Sequence, residues 1–258
     1  MRRTLLFSLT LLLGCRQSGS APSWTAPSSG TDGDGTVAGA PAVLPRVATP
    51  PVIDGKLDDA VWTSAAVLGP LGDPGAGGSA EAGTFVRAAW DDRALYLGFV
   101  IRDPDPGSPF GHDDEDPHIW SRASGVEVML QPGDPGDNRD YVELQVDAAG
   151  AVWDTRFDDY NTPITGEGAA RRFGHQEWKS GVGRAVTVGA GWYAIVVALP
   201  FAPLAPMRVA LPPRPGDVWR MNLYAFRDGQ RHAVAWSPLR GQGNFHRASR
   251  FGRVRFGE

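Results

Sequence analysis

The chain has 258 residues, 42% hydrophobic and 10% aromatic, enough for one good core once export and tethering segments are set aside. Its 25 basic and 29 acidic residues give a formal charge of -4, and no run of Lys or Arg forms a stripe that would track phosphates, so nucleic acid is excluded as an expected partner. The single cysteine, Cys15, rules out an internal disulfide framework and leaves the fold to packing and, at most, to ions.

Residues 1–14 read as an export signal: Arg2 and Arg3 supply the positive start, and TLLFSLTLLL is an apolar run too short for a permanent span. Leu12-Leu13-Gly14-Cys15 resembles the lipobox of bacterial lipoproteins, which implies an acylated Cys15 at the mature N-terminus and a membrane anchor made of buried methylenes. A plain signal peptide with an accidental cysteine is the alternative. Arg16, rather than an aspartate, follows the cysteine; by resemblance to lipoprotein sorting in enteric bacteria this points to the outer membrane. Residues 15–43 are rich in Ser, Gly, Ala, Pro, Thr and Asp around an isolated Trp24, and form a flexible tether. About 30 such residues have a typical end-to-end distance of ~30 Å.

Residues 44–258 are predicted to form the folded domain. Short apolar runs are punctuated by Gly, Pro and Asp, without sustained helical period. Only Leu57 to Ala65 reads as a helical turn, with Asp58 as its cap. The clear strands are Thr84 to Asp91, Leu95 to Asp103, Gly125 to Gln131, Tyr141 to Asp147, Ala151 to Phe157, Trp192 to Pro200, Trp219 to Arg227 and Phe251 to Phe256. Val182 to Val188 and His232 to Trp236 are weaker. The turns WDDRAL and VDAAGAV make antiparallel hairpins, and the pattern predicts an all-β chain folded as a single antiparallel β-sandwich, read as a monomer.

Alternation assigns faces. In GVEVMLQ, Val126, Val128 and Leu130 oppose Glu127, Met129 and Gln131; in YVELQVD, Val142, Leu144 and Val146 oppose Tyr141, Glu143 and Gln145. Neighbouring strands would gather Glu127, Gln131, Tyr141, Glu143 and Gln145 on one face, which is either an ordinary wet exterior or a surface for a polar ligand. WRMNLYAFR adds Arg220, Asn222 and Tyr224 on the polar side of its own strand. Sugars need a flat apolar surface for their C–H face and planar hydrogen-bonding groups for their hydroxyls. Of the nine tryptophans, Trp62, Trp90, Trp192 and Trp219 fit buried positions, whereas Trp120, Trp178 and Trp236 lie at loops or strand ends and are platform candidates, with core packing as the alternative for each.

Five separated strings carry a resemblance: VIDGKLDDAVWTSAA, VRAAWDDRALYLGFVIRDPD, IWSRASGVEVMLQPGD, YVELQVDAAGAVWDTRF and AVAWSPLRGQGNFHRASRFGRVRF. Together, and in this order, they resemble the carbohydrate-binding modules of family 9 over about Pro45 to Glu258. The resemblance implies a DOMON-like β-sandwich that binds sugar between two tryptophans, with structural calcium nearby. It places one stacking residue at Trp120 and the partner carboxylate at Glu127. The second stacking residue should come from the C-terminal block, where Trp236 is the nearest tryptophan and Asn244, Phe245 and His246 occupy the closing loop. The carbohydrate-binding set is therefore Trp120, Glu127, Gln131, Glu143, Trp236 and Asn244, in a protein without catalytic residues.

Other chemistries are weaker. Glu127 and Glu143 on adjacent strands could stand at a glycosidase separation, but carboxylates are frequent here and no nucleophile elbow, zinc helix or phosphate loop is present. Asp103, Asp105, Asp113 and Asp114 offer oxygen ligands for calcium, without EF-hand spacing; a solvated acidic loop is the alternative. The spacing of His112 and His118 fits no common zinc site, and nothing pairs Met129, Met221 and His175 around a haem.

Overall fold

The computed structural model describes residues 40–77, 84–205, 207–241 and 244–258, so Cys15, the expected signal and most of the expected tether lie outside the described residues. Two sheets face each other. The larger runs in the order β1 (Ala42–Leu44), β12 (Gly252–Phe256), β10 (Val218–Arg227), β5 (Gly125–Gln131), β6 (Arg139–Asp147) and β7 (Val152–Asp159), with β11 (His232–Ala235) also on β10. The smaller runs β2 (Ala66–Leu68), β3 (Phe85–Trp90), β4 (Ala94–Arg102), β9 (Trp192–Pro200) and β8 (Gly183–Gly189). All of these pairings are antiparallel except β1 with β12, which is parallel. The β-sandwich expected from the pattern is the fold observed.

Period-two alternation builds the core between the sheets. Val126, Val128 and Leu130 of β5 and Val142, Leu144 and Val146 of β6 meet Leu95, Leu97, Phe99 and Ile101 of β4 and Ile195, Val197 and Leu199 of β9, all buried. Trp62, Trp90, Trp192 and Trp219 are buried as expected. The hairpin turns are closed by aspartates. Asp91 accepts the Arg93 and Ala94 amides at 2.8 and 3.0 Å, and Asp147 accepts those of Ala149 and Ala151 at 2.9 and 2.8 Å.

Each sheet also carries a second, thinner layer on its outer face. Over the smaller sheet, α1 (Ala60–Ser64) packs Trp62 on Ala89, Tyr96 and Val196. Leu57 comes so close that a Cβ at Gly98 would lie 2.4 Å from its Cδ2, which is why β4 carries a glycine there. The helix is shorter than expected, and Asp58 does not cap it. Asp59 occupies the N-cap position, yet its carboxylate accepts from the Val52 amide at 2.7 Å and ties down the incoming chain instead. Ordered structure also begins before residue 44: Ala42 pairs with Val254, and the Trp90 indole donates to Leu44 O at 3.1 Å.

Trp90 joins both sheets through that hydrogen bond and an edge-to-face contact with Phe256 at 5.0 Å. Trp90→Ala should therefore cost about 3–5 kcal/mol of unfolding free energy. Urea titration would check this, and a loss below about 1 kcal/mol would show that the ring is not part of the cooperative core.

Candidate functional site

Register places the polar side chains of the larger sheet in rows across its outer face. Tyr224, Glu127, Gln145 and Trp153 stand side by side on β10, β5, β6 and β7; Asn222, Met129, Glu143 and Thr155 form the next row. A third row brings Arg220 beside Gln131 and Tyr141 beside Phe157. The shared face expected from alternation is thus formed, but it is not wet. Glu127, Gln131, Tyr141 and Gln145 are 0% exposed and Glu143 is 4% exposed.

Four loop segments cover it. A 3-10 turn, Ile119–Ser121, sets Trp120 edge-on against Trp153 with ring centroids 4.8 Å apart. A second, Gly229–Arg231, delivers Gln230. The C-terminal segment lays Phe245 flat on Tyr224 at 4.1 Å and His246 flat on Tyr160 at 4.0 Å. At Gly174 the chain passes so near the sheet that a Cβ would sit 2.6 Å from Thr155 Oγ1.

At the centre, the Gln145 carboxamide bridges two carboxyl groups. Its Nε2 donates to Glu127 Oε2 at 3.0 Å and to Glu143 Oε1 at 2.7 Å, and Gln230 Nε2 donates to the same Glu127 Oε2 at 2.7 Å. One oxygen of each carboxyl is thereby fixed. The others, Glu127 Oε1 and Glu143 Oε2, make no hydrogen bond within the protein, and neither do Gln145 Oε1 and Thr155 Oγ1. His246 Nε2 stands 3.5 Å from Glu143 Oε2, a separation at the edge of bonding, while its Nδ1 lies 2.7 Å from the Tyr141 hydroxyl. Four buried oxygens without partners on two adjacent rows are unusual, because buried polar groups are normally satisfied.

Burial also sets the charge. Desolvation pushes the Glu143 carboxyl up to about 8, and desolvation followed by the Glu143 charge pushes Glu127 well up. Desolvation holds the His246 imidazole down to about 3, so its contact with Glu143 is between neutral groups rather than an ion pair. Beyond His246 the surface opens into a polar cleft of about 410 Å³, lined among others by Asn138, Tyr160, Asn161, Asn244 and Arg247.

The six expected sugar-site residues separate. Glu127 and Glu143 meet on the face through Gln145, whereas half-buried Trp120 touches its edge at Trp153, with one side stacked on His118 at 4.6 Å. Asn244 is exposed in the neighbouring cleft, where it donates to the Tyr160 hydroxyl at 3.2 Å. Gln131 is on the face, but its amide is spent on Asp137, Arg139 O and the Gly136 amide, closing the β5–β6 loop. Trp236 is not a platform: it is 5% exposed, belongs to the inter-sheet core, and sits so near Gly252 that a Cβ there would be 2.5 Å from the ring. Trp178 is likewise committed, its indole donating to Pro203 O at 3.0 Å. Gln145 was visible in the alternation without being placed in the binding set. Thr155 and Trp153 follow from the same alternation in β7, whereas Gln230, on a one-turn loop, has no periodic signal.

The calcium set does not assemble. Asp103 is buried with its oxygens taken by the Ser124 hydroxyl at 2.6 Å and the Asp105 amide at 3.0 Å, while Asp113 and Asp114 are exposed and turn to His112 and to the Gly111 amide. Among the described residues no group of three or more His, Cys, Asp or Glu side chains could hold a metal ion.

Comparison with known proteins agrees with the fold. The model of the family described as carbohydrate family 9 binding domain-like matches residues 53–258. A carbohydrate binding module family 9 from Caldicellulosiruptor kristjanssonii, solved with cellotriose, superposes with a TM-score of 0.55 at 14% identity, covering 84% of this chain and 94% of that one. Its glucose complex gives 0.55 at 14%, covering 85% and 97%. A protein from Bacteroides uniformis ATCC 8492, whose carbohydrate binding is itself proposed, gives 0.58 at 18%, covering 83% and 97%. No curated protein matches the chain.

The buried carboxyl pair should make stability depend on pH. A carboxyl whose folded value is raised above its ordinary 4.5 is held protonated by the folded chain; its contribution is complete below 4.5 and is lost as pH rises through about 8. Glu143→Gln should therefore flatten the decline in denaturant midpoint between pH 5 and pH 9. An unchanged slope in the variant would show that Glu143 is not the group responsible.

Proposed function

Because the chain belongs to the carbohydrate family 9 binding domain-like family, we propose that its sandwich binds carbohydrate without transforming it, at the outer face of the larger sheet. The observation that carries this reading is the set of unpartnered oxygens, Glu127 Oε1, Glu143 Oε2, Gln145 Oε1 and Thr155 Oγ1, buried on two adjacent rows of the face, one of which ends in Trp153 with Trp120 against it. Three of them are carboxyl or amide oxygens, and a sugar hydroxyl is a compact neutral donor suited to them. The indole of Trp120 offers the apolar surface for the C–H face. The relatives solved with cellotriose and glucose supply the first ligands to try. Affinity should lie in the micromolar to millimolar range, since few ring faces are buried.

A binding role also accounts for the carboxyls better than hydrolysis does. A glycosidase needs an acid and a base or nucleophile facing each other across the scissile bond. Glu127 and Glu143 instead share one amide nitrogen, and both are held toward protonation by the same burial.

Calorimetry of the domain from about Ala42 onward with cello-oligosaccharides tests the proposal. Trp120→Ala should weaken binding about tenfold or more while leaving the fold intact. Equal affinity in wild type and variant would remove Trp120 from the site, and no binding to any glycan would favour an envelope interaction domain that has lost its sugar site.

We further propose that the protein is exported, acylated at Cys15 and tethered to the outer membrane, as the Leu-Leu-Gly-Cys motif and the polar segment after it suggest. Cys15→Ser should move the protein from the membrane to the soluble fraction; retention of the variant in washed membranes would contradict an acyl anchor.

A further inference from the structure

Resting on the carbohydrate reading, we infer that Gln230 is the side chain a ligand displaces: its carboxamide occupies, on Glu127 Oε2, the position a saccharide hydroxyl takes when the site is filled. Three observations converge on this residue. Gln230 is the member of the cover that hydrogen-bonds Glu127, at 2.7 Å, and it does so as a neutral N–H donor, which is what a hydroxyl also supplies. It rides on a single 3-10 turn, entered through left-handed backbone at Asp228 (φ 48°) and Gly229 (φ 68°), and its side chain is half-buried, so it can leave Glu127 without disturbing the sheet. That turn is coupled to the aromatic platform. Gly229 N donates to Ala123 O at 2.9 Å, and a Cβ at Gly229 would lie 2.4 Å from Trp120 O, so the glycine allows the two turns to touch backbone to backbone.

The aromatic covers are bound differently. Phe245 lies on Tyr224 and His246 on Tyr160, and His246 also meets the Tyr141 hydroxyl, so displacing either would break a stacked pair. Releasing Gln230 gives up one hydrogen bond and leaves Glu127 Oε2 on Gln145. A ligand hydroxyl donating at that point restores what was lost, and Glu127 Oε1 beside it, without a partner in the protein, is a second hydrogen-bonding point. The exchange selects ligand chemistry. The central cluster consists of two carboxyls, a carboxamide and a hydroxyl without a cation among them, so it favours neutral, hydroxyl-rich saccharides. A uronic acid would have to bury its own carboxylate there with no cation to pair it.

Competition by an internal hydrogen bond lowers apparent affinity by the fraction of molecules whose site is uncovered, so removing it should raise affinity about 2- to 10-fold. The experiment pairs calorimetry of wild type and Gln230→Ala against cellotriose and a glucuronate oligosaccharide with carbon-13 NMR titration of the Glu127 and Glu143 carboxyls. The inference expects tighter cellotriose binding in the variant, no gain for the glucuronate oligosaccharide, and a Glu127 carboxyl resonance that moves with the loss of its Gln230 donor. Cellotriose binding that is equal or weaker in the variant would overturn the exchange while leaving the carbohydrate reading in place. If neither protein binds any saccharide, the carbohydrate reading fails and so does the exchange. A Glu127 carboxyl resonance unchanged in Gln230→Ala would in either case overturn Gln230 as its cover.

Discussion

A single carboxamide organises the outer face of the larger sheet. Gln145 donates through one nitrogen to Glu127 and Glu143, and so fixes one oxygen of each carboxyl and leaves the other unpartnered. Strand register places the two carboxyls on one face, and without that bridge they would lack a shared donor. Their burial is costly in the ionised form, and their raised proton affinity is how the fold tolerates it. The inter-sheet core contributes the stability against which this polar cluster can be maintained.

The cover over the cluster is assembled from stacked pairs and close backbone approaches rather than from regular elements. Trp120 meets Trp153, Phe245 meets Tyr224, and His246 meets Tyr160, each pair joining a loop to the sheet or to another loop. Glycines at 174 and 229 permit the chain to pass within distances that a side chain would block. Such a layer is specific in geometry yet shallow in buried area, a combination suited to a site whose lining must admit a ligand. It also explains how polar groups so well hidden can be proposed for recognition.

The fold was largely legible in the sequence because strands such as Gly125–Gln131 and Trp192–Pro200 alternate strictly and are bounded by turn residues. The three-residue strands Ala42–Leu44 and Ala66–Leu68 were not, since they are too short to show a period and are defined by their partners. Alternation also gathered Glu127, Glu143 and Gln145 on one face correctly. It left their exposure open, because the side-chain period says which residues share a face but nothing of what other segments lay over it. Trp236 failed as a platform for a related reason: its loop position suggested exposure, whereas pairing of β10 with β11 carries it into the core beside Gly252. Of the expected calcium set, Asp103 and Asp105 stay together, with Asp103 turned inward to Ser124, while Asp113 and Asp114 are exposed and turn to His112 and the Gly111 amide.

The account stands or falls on whether ligand reaches the bridged carboxyls. A crystal structure of the domain with cellotriose would test it most directly. The account predicts sugar hydroxyls within hydrogen-bonding distance of Glu127 and Gln145, with a ring against Trp120. A saccharide seated elsewhere, with the cover over Gln145 unchanged, would contradict it.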